Sequence, residues 1–425
     1  MPADREKGPV NNPSGGNQHR SQPLLKQHPE LPQWIQKYID DGVKQADMPQ
    51  AFLEEHAITI GLRSIERIVK KHDLRTSRHS GLTDVEKGAA ILAITQEDPL
   101  ARWGGRKIKE KLSLQSVHIP RKFIDDLRAV LDRDASNMRK PGAKKVHTRG
   151  LWSAGPNEEW CVDGHEKILP SMGIAVWGIV DKYARHELNL WALPDSRQAD
   201  IPPALYLREI RARGGMPLQT TSDKGSETAY ILNSLGDARQ IYLPDLELET
   251  VPAHLSVKSV YNITRERGWR PIWEKELANV KYAYESGKMA SGFHPEDFIH
   301  KGVALWLWAK ITQLRLDDIK RENARHHVRY QKGKLLPTGG RHGEFYSRPD
   351  KWGGRDQLVP VDLAVIDHLI EKYTPDRLFQ FGTDEMVDLC EGLYQALGSP
   401  AVSAVNGWAV FTAMIGQLPG TNQVE

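Results

Sequence analysis

Three short segments of this 425-residue chain concentrate polar residues where a packing element has no use for them. They are Trp160-Cys161-Val162-Asp163-Gly164-His165, Thr221-Ser222-Asp223-Lys224-Gly225 and Asn262-Ile263-Thr264-Arg265-Glu266-Arg267-Gly268-Trp269, and each offers one carboxylate. Asp163 is expected at the end of one strand and Asp223 at the end of another, with Gly164 and Gly225 letting the backbone turn away and a substrate approach. Glu266, on a helix packed over that sheet, would complete a hard, anionic, oxygen-rich site of the kind that suits Mg2+ or Mn2+. Two such ions about 4 Å apart serve in-line displacement at phosphorus, one activating water or a 3′ hydroxyl and the other stabilising the leaving oxygen.

Spacing alone does not select these three, because the chain holds 55 Asp and Glu and some trio at intervals of 60 and 43 is inevitable. Other residues compete. Asp181 also closes an expected strand but suits a structural turn satisfied by backbone N–H groups, and Glu227 suits the start of a helix. Glu274 and Glu276 rival Glu266 for the third position. His165 either orients water or a phosphate, or hydrogen-bonds the backbone as a partly buried histidine. His326 and His327, adjacent on an expected helix, point in different directions and make a poor metal pair. Lys167, Lys224, Lys258, Arg265 and Arg267 surround the three carboxylates and would contact a phosphate backbone, or else form local ion pairs.

The elements that must position these groups follow from periodicity. Residues 160–162, 173–180 and 187–193 are rich in β-branched and aromatic side chains and predict three strands in a meander. A helix opened by Pro202 and Pro203 runs to Gly214 and Gly215, a fourth strand over 218–222 ends at Asp223, and a helix over 228–240 follows. A weak strand near 250–257 and a long helix over 262–284 complete a mixed α/β order. Ribonuclease H-like folds have this order, with a mixed five-stranded sheet and flanking helices.

The flanks divide further. Residues 1–28 are poor in large apolar side chains and predict a disordered tail. Residues 29–80 predict a helix-turn-helix-like domain whose last helix carries Arg63, Arg67, Lys70 and Lys71 outside its apolar stripe. A second helical domain, 81–138, has the same character, so two DNA-reading modules in tandem are expected; solvated basic faces of an ordinary bundle are the alternative. A basic linker (139–154), the core (155–290), a basic helical extension (291–345) and an acidic helical region (346–425) follow.

Composition bounds the function. The net charge of +3 hides an asymmetry: residues 360–425 hold nine Asp and Glu against two Lys and Arg, so residues 1–359 carry +10, which favours a polyanionic partner. Cys161 and Cys390 are the only cysteines, which excludes a disulfide framework and a zinc site built from cysteine pairs. No apolar stretch is long enough to span a bilayer. A soluble nuclear or cytosolic protein is expected, the nucleus favoured.

In this order and with these neighbours, the three segments resemble the W-x-x-D-G-H, S/T-D-x-G-x-E and N-I-x-x-E-R-x-W motifs of the integrase core family, which is related to retroviral and transposon DDE enzymes. The likeness is most specific from Gly155 to Trp273 and includes Gly178 to Arg185, which is similar to the family's I-D-x-y-S-R strand end. It implies a ribonuclease H-like fold, a metal-binding triad of Asp163, Asp223 and Glu266, two Mg2+ or Mn2+ ions, DNA as partner, multimeric action, and strand cleavage and joining. Arg265 stands where the family has an apolar residue, and Ala184 replaces the common Ser. A catalytically silent DNA-binding protein, a hydrolytic nuclease of the same fold and a protein-interaction scaffold remain as alternatives.

Overall fold

The computed structural model describes residues 24–100, 102–131, 151–194, 201–223, 239, 241–246, 251–257, 262–374 and 377–418, with the backbone alone for 129–131, 166–168 and 201. The expected helix over 228–240, most of the expected tail and most of the basic linker lie outside these residues. Two compact units form, Met1–Thr83 with Leu112–Pro120, and Asp84–Lys111 with Arg121–Glu425.

In the first unit a short α1 (Leu24–Gln27) precedes α2 (Leu31–Asp40), α3 (Met48–His56) and α4 (Leu62–Lys71). Leu31, Ile35 and Tyr38 fall on one face of α2 and are buried with Met48, Phe52, Ile65 and Ile68. Ala57, left-handed at φ 54°, ends α3 and starts the turn into α4. On α4 the other face stays in solvent, with Arg63, Arg67, Lys70 and Lys71 exposed. Segment 112–120 joins this unit through Asp40, which accepts from Ser116 Oγ at 2.7 Å and lies 2.6 Å from His118 Nε2.

The second unit is built on a five-stranded sheet in the order β3-β2-β1-β5-β6. Its strands are β1 (Glu159–Leu169), β2 (Ile174–Asp181), β3 (Glu187–Leu193), β5 (Gln219–Asp223) and β6 (His254–Val257). The first three form an antiparallel meander, while β5 runs parallel to β1 and β6 parallel to β5. This is the mixed sheet with flanking helices that the sequence predicts. A two-residue β4 (Gly215–Met216) pairs separately with β7 (Val359–Pro360).

Both faces of the sheet are covered. Trp160 and Val162 pack with Leu205, Tyr206 and Ile210 of α8 (Ile201–Arg213) and with Ile366 of α13 (Leu363–Tyr373). On the other face Val176, Leu190 and Ala192 pack under α9 (Ile263–Ile272), α10 (Ala278–Gly287) and α11 (Phe298–Arg325). Past α12 (His342–Ser347), the helices α14 (Asp384–Ala396) and α15 (Gly407–Ile415) add Met386, Cys390, Phe411 and Met414 to that same core. The acidic C-terminal region is therefore part of the core unit, because its apolar stripes complete the two layers that the sheet needs.

Three local expectations change. Strand β1 does not stop at Asp163: Gly164 pairs with Trp177 and Leu169 with Ile174, because the fully buried β2 offers backbone partners beyond the carboxylate. Pro271, which has no N–H to donate, lies just before a π turn over Trp273–Leu277, so the expected single helix is α9, that turn and α10. Helix α11 ends at Arg325, leaving His326 and His327 outside it, with His327 bridged to Arg341.

The expected second helical domain is not separate either. α5 (Asp84–Thr95), α7 (Arg121–Leu131) and α6 (Gly105–Leu114) as far as Lys111 belong to the core unit. The basic residues of α6 explain why. Lys107 pairs with Glu276 at 3.0 Å and with Glu322, and Lys111 lies 3.0 Å from Glu322 and 3.3 Å from Glu97. Arg315 closes the cluster on Glu276 and, at 3.1 Å, on Glu322. Burial alone would push the Glu322 carboxyl up, but Arg315, Lys107 and Lys111 outweigh it and hold the group well below its ordinary value.

Because its folded value is depressed, Glu322 contributes stability above the unfolded carboxylate range that is lost as pH falls below it. Glu322→Gln is expected to cost about 3–5 kcal/mol at pH 7, since it leaves buried cations uncompensated. Urea unfolding from pH 7 to pH 3 checks this: the gap between wild type and variant should narrow as the solution becomes acidic.

Candidate active site

The parallel pairing of β1 with β5 sets Cys161 opposite Thr221. Two residues further along each strand stand Asp163 and Asp223, level with one another and on the same face, since side chains alternate with period two. That face looks toward α9: Cys161 interacts with Thr264, and Trp269 Nε1 donates to Asp163 Oδ2 at 2.8 Å. Asn262, at the N-cap position of α9, donates from Nδ2 to the Val162 carbonyl at 3.1 Å and so pins the helix start beside Asp163. Glu266 lies in the first turn of that helix and is exposed.

The charges of Asp223 and Glu266 both act on Asp163. Asp163 is pushed up to about 7, first by burial and then by the charges of Asp223 and Glu266, while the Trp269 hydrogen bond and Arg265 pull it down. Among the described residues, no three His, Cys, Asp or Glu side chains stand close enough to share one ion as they are placed. Their chemistry nonetheless fits a hard divalent cation, because every donor is a carboxylate oxygen and their negative charges crowd. The neighbouring thiol is no competitor: Cys161 is buried and pushed well above its ordinary value, chiefly by burial.

Arg265 is a correction. Predicted as a phosphate contact, it is fully buried and donates to both oxygens of Glu187, from Nη1 at 2.5 Å and Nη2 at 3.2 Å. Its guanidinium also stacks 4.0 Å from the Trp269 ring, so it supports the tryptophan that holds Asp163. Gly178 makes room for it, since a Cβ there would stand 2.6 Å from Leu190 Cδ2 and 3.3 Å from Arg265 Nη1. The departure from an apolar residue at this position is thus a buried ion pair packed like an apolar side chain.

Arg267 is exposed on the same helix. Lys224 and Lys258 lie outside the described residues, as does the side chain of Lys167. Arg63, Arg67, Lys70 and Lys71 lie on α4, in the other unit.

The competing residues are engaged elsewhere. Asp181 is fully buried and accepts from the backbone N–H of Asn157 and of Ala184, each at 2.7 Å, in the structural role expected of it. Glu274 pairs with Arg270, and Glu276 is held in the buried cluster on Lys107 and Arg315. His165 packs edge-on against Trp269, with centroids 5.5 Å apart. Sequence reasoning missed the roles of Trp269 and Asn262 although both lie in the third motif, three residues after Glu266 and four before it. It also missed His254, whose Nε2 lies 2.9 Å from Ser222 Oγ beside Asp223 and which burial pushes down to about 4.

Because Asp163 is raised in the folded chain, its ionisation works against folding: stability falls as pH rises from the unfolded value of about 4 toward about 7. Asp163→Asn is expected to melt several degrees higher than wild type at pH 8 in EDTA, with the advantage vanishing near pH 3.5. Calorimetry across that range checks it, and a variant no more stable at pH 8 would contradict the burial argument.

Residues 152–338 match the model of the integrase core domain family. The match spans all five strands of the sheet, α8 to α11 and each of the three carboxylates. No curated protein matches the chain. Among the described residues no helix is long and apolar enough to cross a membrane. Strand order and matched span agree, and residues 152–338 form an integrase core domain.

Proposed function

We propose that this protein is a DDE-type polynucleotidyl transferase that cuts and joins DNA strands, with Asp163, Asp223 and Glu266 as its metal-binding triad. The observation that carries this is the level placement of Asp163 and Asp223 on adjacent parallel strands, with the charges of Asp223 and Glu266 acting on Asp163. Two Mg2+ or Mn2+ ions, when bound, supply activation of the attacking hydroxyl or water and stabilisation of the leaving oxygen. The chain's own groups do the positioning. Trp269 fixes one oxygen of Asp163 and leaves the other free to bind. Asn262 holds the helix start on β1, so that Glu266 is presented from a fixed element rather than from a loop.

Lys167, Lys224 and Lys258 are proposed to contact the phosphate backbone at the triad. In the first unit, α4 offers a second basic surface in Arg63, Arg67, Lys70 and Lys71, which are exposed and carry no ion pair among the described residues. Changing all four to Glu should weaken binding to duplex DNA by at least tenfold at low salt and flatten its dependence on salt. Unchanged affinity in a salt titration by fluorescence anisotropy would remove α4 from the interface.

The central test is nicking and strand transfer on labelled DNA with Mg2+ or Mn2+, comparing wild type with Asp163→Asn, Asp223→Asn and Glu266→Gln. Each variant should lose about a thousandfold or more of both activities while still binding DNA. Cleavage without joining would mark a hydrolytic nuclease. A wild type that binds DNA but neither cuts nor joins would mark a silent DNA-binding protein.

A further inference from the structure

A cavity of about 480 Å3 opens on the side of α9 turned away from Glu266. At about 100° per residue, Thr264, Gly268, Pro271 and Lys275 share one face of this helical segment, and Glu266 falls on the opposite one. The cavity is therefore separate from the carboxylates, although the same helix carries both. Its size is that of a small-ligand site.

The lining is apolar at Pro271, Ile272 and Ile319 and carries charges of both signs around them. Its carboxylates are already engaged: Glu187 by Arg265, Glu110 by Arg106 at 3.3 Å, and Glu276 and Glu322 in the buried cluster. Arg106 and Lys107 are engaged with them, but three further cations of the lining are not. Arg185, Arg267 and Lys275, from the β2–β3 turn, from α9 and from the π turn, have no carboxylate partner among the described residues. Arg185 is the most telling of the three. Its Nη2 donates to the Pro337 carbonyl, its buried Nε has no hydrogen-bond partner, and burial draws its ordinary value down to about 10. The Asp181 charge acts on this guanidinium without forming an ion pair with it, and its stacking on Phe345 supplies no negative charge, so a partly desolvated planar fork is left that suits phosphate.

We infer that this cavity binds the phosphate of a nucleotide, with Arg185, Arg267 and Lys275 holding the phosphate and Pro271, Ile272 and Ile319 facing the remainder. The nucleotide is either free or the terminal residue of a strand, since both present the same chemistry. The site needs no metal and does not depend on the strand chemistry proposed for the triad.

The test is binding in EDTA of adenosine 5′-diphosphate and of a 5′-phosphorylated trinucleotide, by calorimetry and by the shift in melting temperature. Arg267→Glu with Lys275→Glu, both exposed residues, should leave the ligand-free melting temperature close to wild type and weaken binding tenfold or more. Asp163→Asn should bind as wild type does, so the cavity and the triad can fail separately. Binding of the diphosphate alone identifies a free nucleotide, and binding of the trinucleotide alone identifies a strand end. No binding of either, equal binding of adenosine and the unphosphorylated trinucleotide, or undiminished binding by the double variant would overturn the assignment.

Discussion

The parallel pairing of β1 with β5 is the constraint on which the rest of the second unit depends. Parallel neighbours cannot be joined by a tight turn, so the chain must leave β3, cross one face of the sheet as α8 and return beside β1. That crossover covers the face bearing Trp160 and Val162 and leaves the opposite face, with Asp163 and Asp223, to α9. The register at Cys161 and Thr221 then decides that the two aspartates are level. A slip of one residue on either strand would turn one carboxylate into the apolar core under α8.

Charge plays two distinct parts in this molecule. Near the sheet it is spent internally: Arg265 with Glu187, and Lys107, Lys111 and Arg315 with Glu276 and Glu322, are buried ion pairs that fasten helices to the core. Such pairs add little net stability over an apolar core, yet each lost partner is destabilising, so they hold their elements in one arrangement. On α4 and at Arg267 the cations face solvent, where they are available to an anionic partner. The two kinds are indistinguishable in a linear sequence, and the basic pattern of α6 misled for that reason.

The helix α9 joins these themes. One side presents Glu266 and holds Asp163 through Trp269, with Arg265 wedged beneath the tryptophan ring. The other side lines a cavity of mixed charge and runs into the π turn that follows Pro271, where Glu276 enters the buried cluster. Glu266 is thus fixed from the N-terminal end by Asn262 and from the C-terminal end by ion pairs.

By itself the sequence determined the alternation of strands and helices and the three polar segments. These rest on local physics: side-chain period, the helix start at Pro202 and Pro203, and the stop at Gly214, which takes φ 70°. The strand over Gln219–Asp223 and the structural role of Asp181 were legible for the same reason. Only the tertiary structure decided how far β1 runs past Asp163, that Arg265 turns inward, and that the acidic C-terminal helices complete the core. Each of these depends on what lies across from a residue rather than beside it in the chain: a backbone partner on β2, a carboxylate on β3, an apolar face on α11. Burial and pairing across such distances are properties of the packed fold, and a pattern along one strand or helix does not contain them.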